Sequence, residues 1–129
     1  MPHCEIRYSS NIETNCDIQN LCLLLADTLR GLPLFPSGGI RVRAIRCDHY
    51  VIADGHADNV FVDIQVRIGA GRTEAQKREA GEALMESAKV FCERSVPAGH
   101  MALSLDIQEI NPALSWKHNA IHQRLAALD

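Results

Sequence analysis

The sequence has no apolar run long enough to cross a bilayer, and its first residues, MPHCEIRYSS, lack the basic segment and apolar run of a signal peptide. The five cysteines are odd in number and include no CxxC pair, so they indicate neither a disulfide framework nor a zinc site. Basic residues are not in excess, since the formal net charge is -3 at pH 7. Nucleic acid and anionic membranes normally require a basic surface. We therefore expect a cytoplasmic protein that binds neither.

Four segments of the chain alternate between apolar and polar residues, which is typical of strands with one buried face. The clearest alternation covers residues 60–68, and a second covers residues 101–107. Weaker patterns cover residues 4–8 and 40–46. Pro2 has the same parity as the apolar positions of the first strand, and proline is acceptable where a strand starts.

Two further segments have apolar residues at helical spacing. The first helix is expected to begin after Asp17 or Asn15 and to end before Gly31. In the second, Thr73 and Gln76 form a capping-box signature at the start of the helix. The apolar positions of the two helices are Ile18, Leu21, Cys22, Leu25 and Leu29, then Ala80, Leu84, Ala88 and Phe91.

The order of these segments predicts an α+β fold made of two βαβ units. We expect one domain over residues 1–129, with the first unit at 1–50, the second at 60–110 and a tail at 111–129. The polar segment VIADGHADN joins the units and contains DGHAD, which predicts a solvated turn. The four strands should form one sheet with both helices on the same face.

The other face of this sheet would have no helix to cover it. We expect apolar residues there, and an exposed apolar patch of that size favours oligomerisation. In the tail, Leu114 and Trp116 are expected to cover apolar surface, and the last residues are expected to form a short helix.

Pro2 follows the initiator Met1 and is the first candidate for chemistry. A small second residue favours removal of methionine, which would leave a secondary amine at the chain terminus. Burial near arginines would lower the pKa of this amine toward neutrality, where a general base is useful. The alternative is that a proline at position two is chemically idle.

Three arginines lie at the ends of predicted elements. Arg41 and Arg43 are two residues apart and share one face of a strand, so both guanidinium groups can meet carboxylates. Arg72 directly precedes a helix start, where free N–H groups also favour anions. An anionic ligand is one interpretation, and a set of solvated surface arginines is the other.

The remaining candidates are weaker. His118 and His122 are four residues apart and would share a helical face, but the HExxH glutamate and a third ligand are missing from the sequence, so we expect no metal. Cys4 has no histidine partner evident in the sequence and is interpreted as a buried small side chain.

Five segments together carry a family resemblance: PHCEIRYSSNI, FPSGGIRVR, the ADG turn, IGAGR and NPALSWKHNAIH. They resemble the 5-carboxymethyl-2-hydroxymuconate isomerase family of the tautomerase superfamily, over essentially the whole chain. The resemblance implies a homotrimer with sheets packed around the threefold axis. It also implies Pro2 as the catalytic base, and Arg41 and Arg72, with Arg43 less directly, as ligands of the substrate carboxylates.

The function implied by this resemblance is a cofactor-independent tautomerisation in homoprotocatechuate catabolism. A small anionic dienol carboxylate, 5-carboxymethyl-2-hydroxymuconate, would be converted into its 2-oxo-3-ene isomer. One alternative is a related tautomerase that acts on another 2-hydroxydienoate or on a phenylpyruvate-type enol. Another is a trimeric binding module that has kept the fold without the chemistry.

Overall fold

The structure is a computed structural model that describes residues 1–128; Asp129, the last residue of the predicted tail, lies outside them. The predicted strands and helices are confirmed. The strands of the described chain are β1 (His3–Ser9), β2 (Arg41–Cys47), β3 (Val60–Gly69) and β4 (Met101–Ile110). The α-helices of the same residues are α1 (Ile18–Arg30), α2 (Glu74–Glu93) and α3 (Ala120–Ala126).

The four strands form one mixed sheet in the order β2-β1-β3-β4. β1 is parallel to β2 and β3 is parallel to β4, while β1 and β3 are antiparallel at the centre. Each parallel pair is joined through one long helix, as a βαβ unit requires. α1 and α2 contact each other and lie on the same face of the sheet. The α+β class with both helices on one face is thus confirmed.

The hydrophobic core fills the space between the two long helices and the sheet. β1 and β3 each turn alternate side chains toward the helices, as their sequence pattern predicts. The helix cap that Asp17 provides and the capping box of Thr73 and Gln76 fix where α1 and α2 begin. The fully buried core residues include Ile6, Val62, Ile64, Leu21, Leu25, Leu29, Leu84 and Ala88.

The face of the sheet that carries no helix is mainly polar and charged. In one row across the central strands, Glu5 lies between Arg43 and Gln65. In the next row, Arg7 pairs with Asp63 in the strand register. The expected large apolar patch on this face is therefore wrong. The alternation that buries one side of each strand places its charged residues on the other side, where water solvates them.

The tail differs from expectation in one respect. Its short helix, α3, is present, and the Asn119 side chain caps it and also donates to the Gly38 carbonyl at 2.8 Å. However, Leu114 is 70% exposed and Trp116 is 86% exposed, so the expectation that they cover apolar surface of this chain is wrong. They follow the edge strand β4, beyond the reach of the core. None of the helices in residues 1–128 is both long and apolar enough to span a membrane.

Candidate active site

The amino-terminal residues lie at one end of the sheet, between its two central strands. β1 starts at His3 and is paired on both sides, and the Pro2 carbonyl accepts a hydrogen bond from the Arg41 N–H at 3.1 Å. The Pro2 side chain is fully buried on the core face. A cleft of about 590 Å³ opens beside Met1. Its other lining residues are His3, Arg41, Arg67, Gly69, Ile110, Leu114, Ser115, Trp116, Lys117 and His118.

Met1 is held against the walls of this cleft. Its side chain packs on Gly39, because a Cβ added to that glycine would lie 3.0 Å from Met1 Cγ. The Asn119 side-chain amide contacts the Met1 sulfur at 3.5 Å. While Met1 is attached, the Pro2 nitrogen is an amide and has no basic lone pair. Removal of Met1 would expose that nitrogen to the same cleft.

The amino group of the chain is surrounded by cations. A Cβ built on Gly69 would lie 3.8 Å from Arg72 Nη1 and 4.0 Å from the Met1 nitrogen, so the guanidinium and the amine face the same point. Burial lowers the pKa of this amine below 8.0, and Arg72, Lys117 and Arg41 lower it further, in that order. Each positive charge disfavours a second one nearby. The geometry therefore favours a neutral amine.

Arg41 belongs to a row of basic residues that crosses three strands. In the sheet register, His3 lies opposite Arg41 on one side and Arg67 on the other. Arg41 Nη1 lies 3.1 Å from His3 Nε2, and since a guanidinium only donates, the imidazole nitrogen accepts. Burial and these arginines lower the pKa of His3. The imidazole is therefore neutral, and the positive charge on this wall belongs to the arginines.

Arg43 lies one row farther along the sheet, away from the cleft. Its guanidinium forms an ion pair with Glu5 at 3.1 Å, and Arg7 binds the same carboxylate at 2.8 Å. The two arginines lower the pKa of Glu5, with the hydrogen bond from Arg7 as the larger cause. The structure thus brings Pro2, Arg41 and Arg72 together and leaves Arg43 paired elsewhere.

Arg72 is held in place by the main chain. Its Nη2 donates to the Leu34 carbonyl at 2.8 Å, its Nη1 donates to the Gly69 carbonyl at 3.2 Å, and the guanidinium lies 4.7 Å above the centre of the Phe35 ring. These contacts fix its plane. Each terminal nitrogen carries a second N–H, so a carboxylate can still be bound in the paired geometry that guanidinium groups favour.

Comparisons with known proteins identify the family of this chain. A sequence profile of the family described as 5-carboxymethyl-2-hydroxymuconate isomerase matches residues 2–125. The chain belongs to this family. It is 35% identical over 122 residues to 5-carboxymethyl-2-hydroxymuconate Delta-isomerase from Escherichia coli, covering 95% of this chain and 97% of that one. It is an isomerase of the tautomerase type.

Two solved structures extend the family match to three dimensions. A 5-carboxymethyl-2-hydroxymuconate isomerase from Deinococcus radiodurans R1 superposes with a TM-score of 0.88 at 36% identity, over 96% of this chain and 93% of that one. A second structure, of a 5-carboxymethyl-2-hydroxymuconate delta-isomerase, gives a TM-score of 0.87 at 31% identity, over 97% and 93% of the two chains. The family fold is therefore present along nearly the whole chain.

Sequence reasoning missed three basic residues around the amino terminus of this isomerase, namely His3, Arg67 and Lys117. His3 and Arg67 meet only through the antiparallel register of β1 and β3, which the sequence does not specify. Lys117 lies in the tail, 45 or more residues from either predicted arginine, Arg41 or Arg72, and no periodicity connects it to them. The sequence offers one indication that Lys117 belongs near the site, which is its position within the segment NPALSWKHNAIH that carries the family resemblance.

The weaker candidates do not form a second centre in this isomerase. His118 lines the cleft but precedes α3, whereas His122 lies within α3, so the two do not share a helical face as the spacing suggested. Cys4 is fully buried, and burial raises the pKa of its thiol to about 12. The thiol is thus protonated at neutral pH, which agrees with its interpretation as a core residue.

Proposed function

We propose that this chain converts 5-carboxymethyl-2-hydroxymuconate into its 2-oxo-3-ene isomer, with Pro2 as the catalytic base after removal of Met1. The observation that carries the proposal is the location of the amino terminus beside a cation-lined cleft, where the surroundings of the Pro2 nitrogen already lower the pKa of the adjoining Met1 amine. The three relatives described above, each at least 31% identical to this chain, carry this isomerase name, which favours this substrate over a phenylpyruvate-type enol.

The reaction moves one proton and needs no redox step. The neutral Pro2 nitrogen takes the proton from the 2-hydroxyl group, and the electron pair of that O–H bond forms the 2-oxo group. The double bonds shift along the chain, and the Pro2 ammonium returns the proton to C5. One group thus serves as base and then as acid, which requires a pKa near the working pH.

The substrate is an anion, and two arginines are proposed to hold its carboxylates. Arg41, at the start of β2, and Arg72, in the connection between β3 and α2, lie near the amino terminus. Their charges would also stabilise the negative charge that develops on the 2-oxo end in the transition state. Arg43, paired with Glu5, is not assigned this role in the protomer.

We further propose that the protein works in the cytoplasm as a homotrimer. The support for a trimer is the family together with exposed apolar side chains next to the cleft, since Leu114 and Trp116 have no cover within the protomer. β2 and β4 are both edge strands of the sheet, and unpaired strand edges favour association.

Replacement of Pro2 tests the mechanism directly. P2A should lower kcat by about 100-fold or more, because general base catalysis contributes on that scale and a primary amine differs in basicity and placement. Mass spectrometry must first establish that Met1 is absent from both proteins. Undiminished kcat in processed P2A would remove Pro2 from the mechanism.

A substrate panel tests specificity. Conversion of 5-carboxymethyl-2-hydroxymuconate, 2-hydroxymuconate and the phenylpyruvate enol can be followed by ultraviolet absorbance on protein of verified terminus. The proposal expects the highest kcat/KM for the carboxymethyl compound. A higher value for either other enol would reassign the substrate while leaving the role of Pro2 intact.

A further inference from the structure

We propose that His56, Asp58 and His100 form a binding site for a divalent transition-metal ion, apart from the cleft. His56 and Asp58 belong to the connection between β2 and β3, and His100 directly precedes β4. The site is at the end of the sheet where β3 begins. The length of β3, about 30 Å at the usual rise of a strand, separates it from the cleft.

The three side chains already lie at a distance suited to one ion. Each offers one ligand atom, and these atoms lie within 4.8 Å of one another. The rings of His56 and His100 are 4.4 Å apart between centroids and tilted by 36°. Two imidazole groups and one carboxylate are ligands typical of zinc sites that keep one position open for water.

His100 is oriented by a chain of hydrogen bonds. Asp54 Oδ1 accepts from Asn59 Nδ2 at 2.7 Å, and Asn59 Oδ1 lies 2.8 Å from His100 Nδ1. Because an amide oxygen only accepts, His100 Nδ1 carries the ring proton, and the lone pair of Nε2 remains for a metal. Ligand histidines in metal sites are held in this way by a second hydrogen-bonding partner.

A hydrogen bond leaves one ring nitrogen of His56, Nδ1, without a proton. The Asp58 N–H donates to His56 Nδ1 at 3.0 Å, so this nitrogen presents a lone pair. An ion that binds there takes the place of the Asp58 N–H, which lies in an exposed turn and can bind water instead. This exchange costs affinity, and we expect a dissociation constant on the order of micromolar rather than the far tighter binding of closed structural zinc sites.

The turn around the site is well fixed by its own hydrogen bonds. The Gly55 N–H donates to the Ile52 carbonyl at 2.8 Å, and the Asn59 N–H donates to the His56 carbonyl at 3.0 Å. The Val60 N–H donates to the His100 carbonyl at 2.9 Å, which joins the two ligand-bearing segments. An ion bound here would tie the connection between the βαβ units to the start of β4 and should stabilise the folded chain by mass action.

The ligand set also indicates the class of ion. Imidazole suits Zn²⁺, Co²⁺ and Ni²⁺, whereas Mg²⁺ and Ca²⁺ prefer oxygen ligands throughout. Cu²⁺ is an unsuitable probe, because a free amino terminus followed by His3 would compete for it. Zn²⁺ and Co²⁺ are therefore the probes of choice.

The test is calorimetric titration of the full chain with Zn²⁺ and with Co²⁺, together with the visible absorption of bound Co²⁺ and the shift in Tm. The proposal expects one ion per chain, Co²⁺ bands of a site with nitrogen and oxygen ligands, and a raised Tm. H56Q and H100Q should each weaken binding about tenfold or more. H49Q removes an exposed histidine outside the cluster and should bind as the parent does.

D58N serves as a third variant, because it preserves the side-chain volume and both histidines. It should also weaken Zn²⁺ binding, which keeps the proposal testable if H100Q fails to fold. Equal affinity in the parent and all three site variants would mean that the ion binds elsewhere, for example at one of the free cysteines, and would overturn the proposal. No binding of Zn²⁺ or Co²⁺ at millimolar concentration would overturn it as well.

Discussion

At the scale of single residues, the protonation of the terminal nitrogen decides whether the proposed chemistry can run. Burial, Arg72, Lys117 and Arg41 all lower the pKa of the Met1 amine, and the Pro2 nitrogen would meet the same surroundings once Met1 is removed. A base must be neutral to accept a proton, so kcat/KM should rise as the pH increases through this lowered pKa. Below it, a charged amine could not accept the proton, so we expect kcat/KM to fall.

Lys117 offers the cleanest test of this electrostatic effect. K117Q removes one positive charge from the cleft and should raise the pKa of the amine, so the acidic limb of the pH–rate profile should move to higher pH. K89Q changes an exposed lysine of α2 and is the matched control. It should leave the acidic limb of the pH–rate profile at the parent pH. A K117Q profile that coincides with the parent profile would show that Lys117 does not affect the base.

Arg72 should not be replaceable by lysine. R72K keeps the charge but loses the fixed donors to the Leu34 and Gly69 carbonyls, so we expect a stability loss of about 1–3 kcal/mol and a fall in kcat/KM of about tenfold or more. Urea unfolding and steady-state kinetics measure the two effects.

The control for this change is R78K, since Arg78 is an exposed residue of α2 that pairs with exposed Glu74. That variant should stay within about 0.5 kcal/mol of the parent, as most surface substitutions do. If R72K retained both parental stability and kcat/KM, the hydrogen bonds to the two carbonyls would have no functional importance.

At the scale of elements, the docking of α3 depends on a close approach at Gly38. A Cβ at this position would lie 2.5 Å from the Cα of His122, so backbone must move to accommodate it. G38A should therefore displace α3, cost about 1–3 kcal/mol and speed amide hydrogen exchange in residues 120–126.

Gly31 provides the matched comparison for G38A. Its added Cβ would make only ordinary contacts at 3.5 Å, and its φ of -72° suits any residue. G31A should be neutral or stabilise the chain by about 0.4–1 kcal/mol. Equal free energies of unfolding for G38A and G31A would show that the packing of α3 does not require a glycine at position 38.

The elements themselves could be predicted from the sequence because their signals are local. Alternation in residues 60–68 and the capping box of Thr73 each involve neighbouring positions, and both are confirmed. The row of Arg41, His3 and Arg67 could not be predicted, because it depends on the pairing of strands far apart in the chain. The charged outer face could not be predicted for a related reason, since alternation along one strand does not say which polar residues lie beside each other across neighbouring strands.

The tail shows the same limit of local signals. Apolar residues such as Leu114 and Trp116 predict burial, but the sequence does not say whether the cover comes from the same chain. In the protomer both are exposed. Of the proposed site, the sequence supplied Pro2, Arg41 and Arg72, while Lys117 required the three-dimensional position of the tail.

At the scale of the whole molecule, the single tryptophan reports on assembly. Trp116 is 86% exposed in the protomer and lies beside the cleft. If a second copy covers it, its fluorescence should shift to the blue as concentration rises, in step with a sedimentation mass approaching three times 14.3 kDa. A trimer whose tryptophan emission stays that of a fully hydrated side chain would place the interface elsewhere.

The central position of β1 has a practical consequence for producing the protein. A strand paired on both sides holds its first residue in place. An affinity tag fused ahead of Pro2 would therefore have to leave the fold through the cleft. With Pro2 as the proposed base, such a fusion should be inactive, because the proline nitrogen stays in an amide bond until a protease cleaves directly before it. A tag after α3, whose last residues are exposed, leaves the nitrogen untouched.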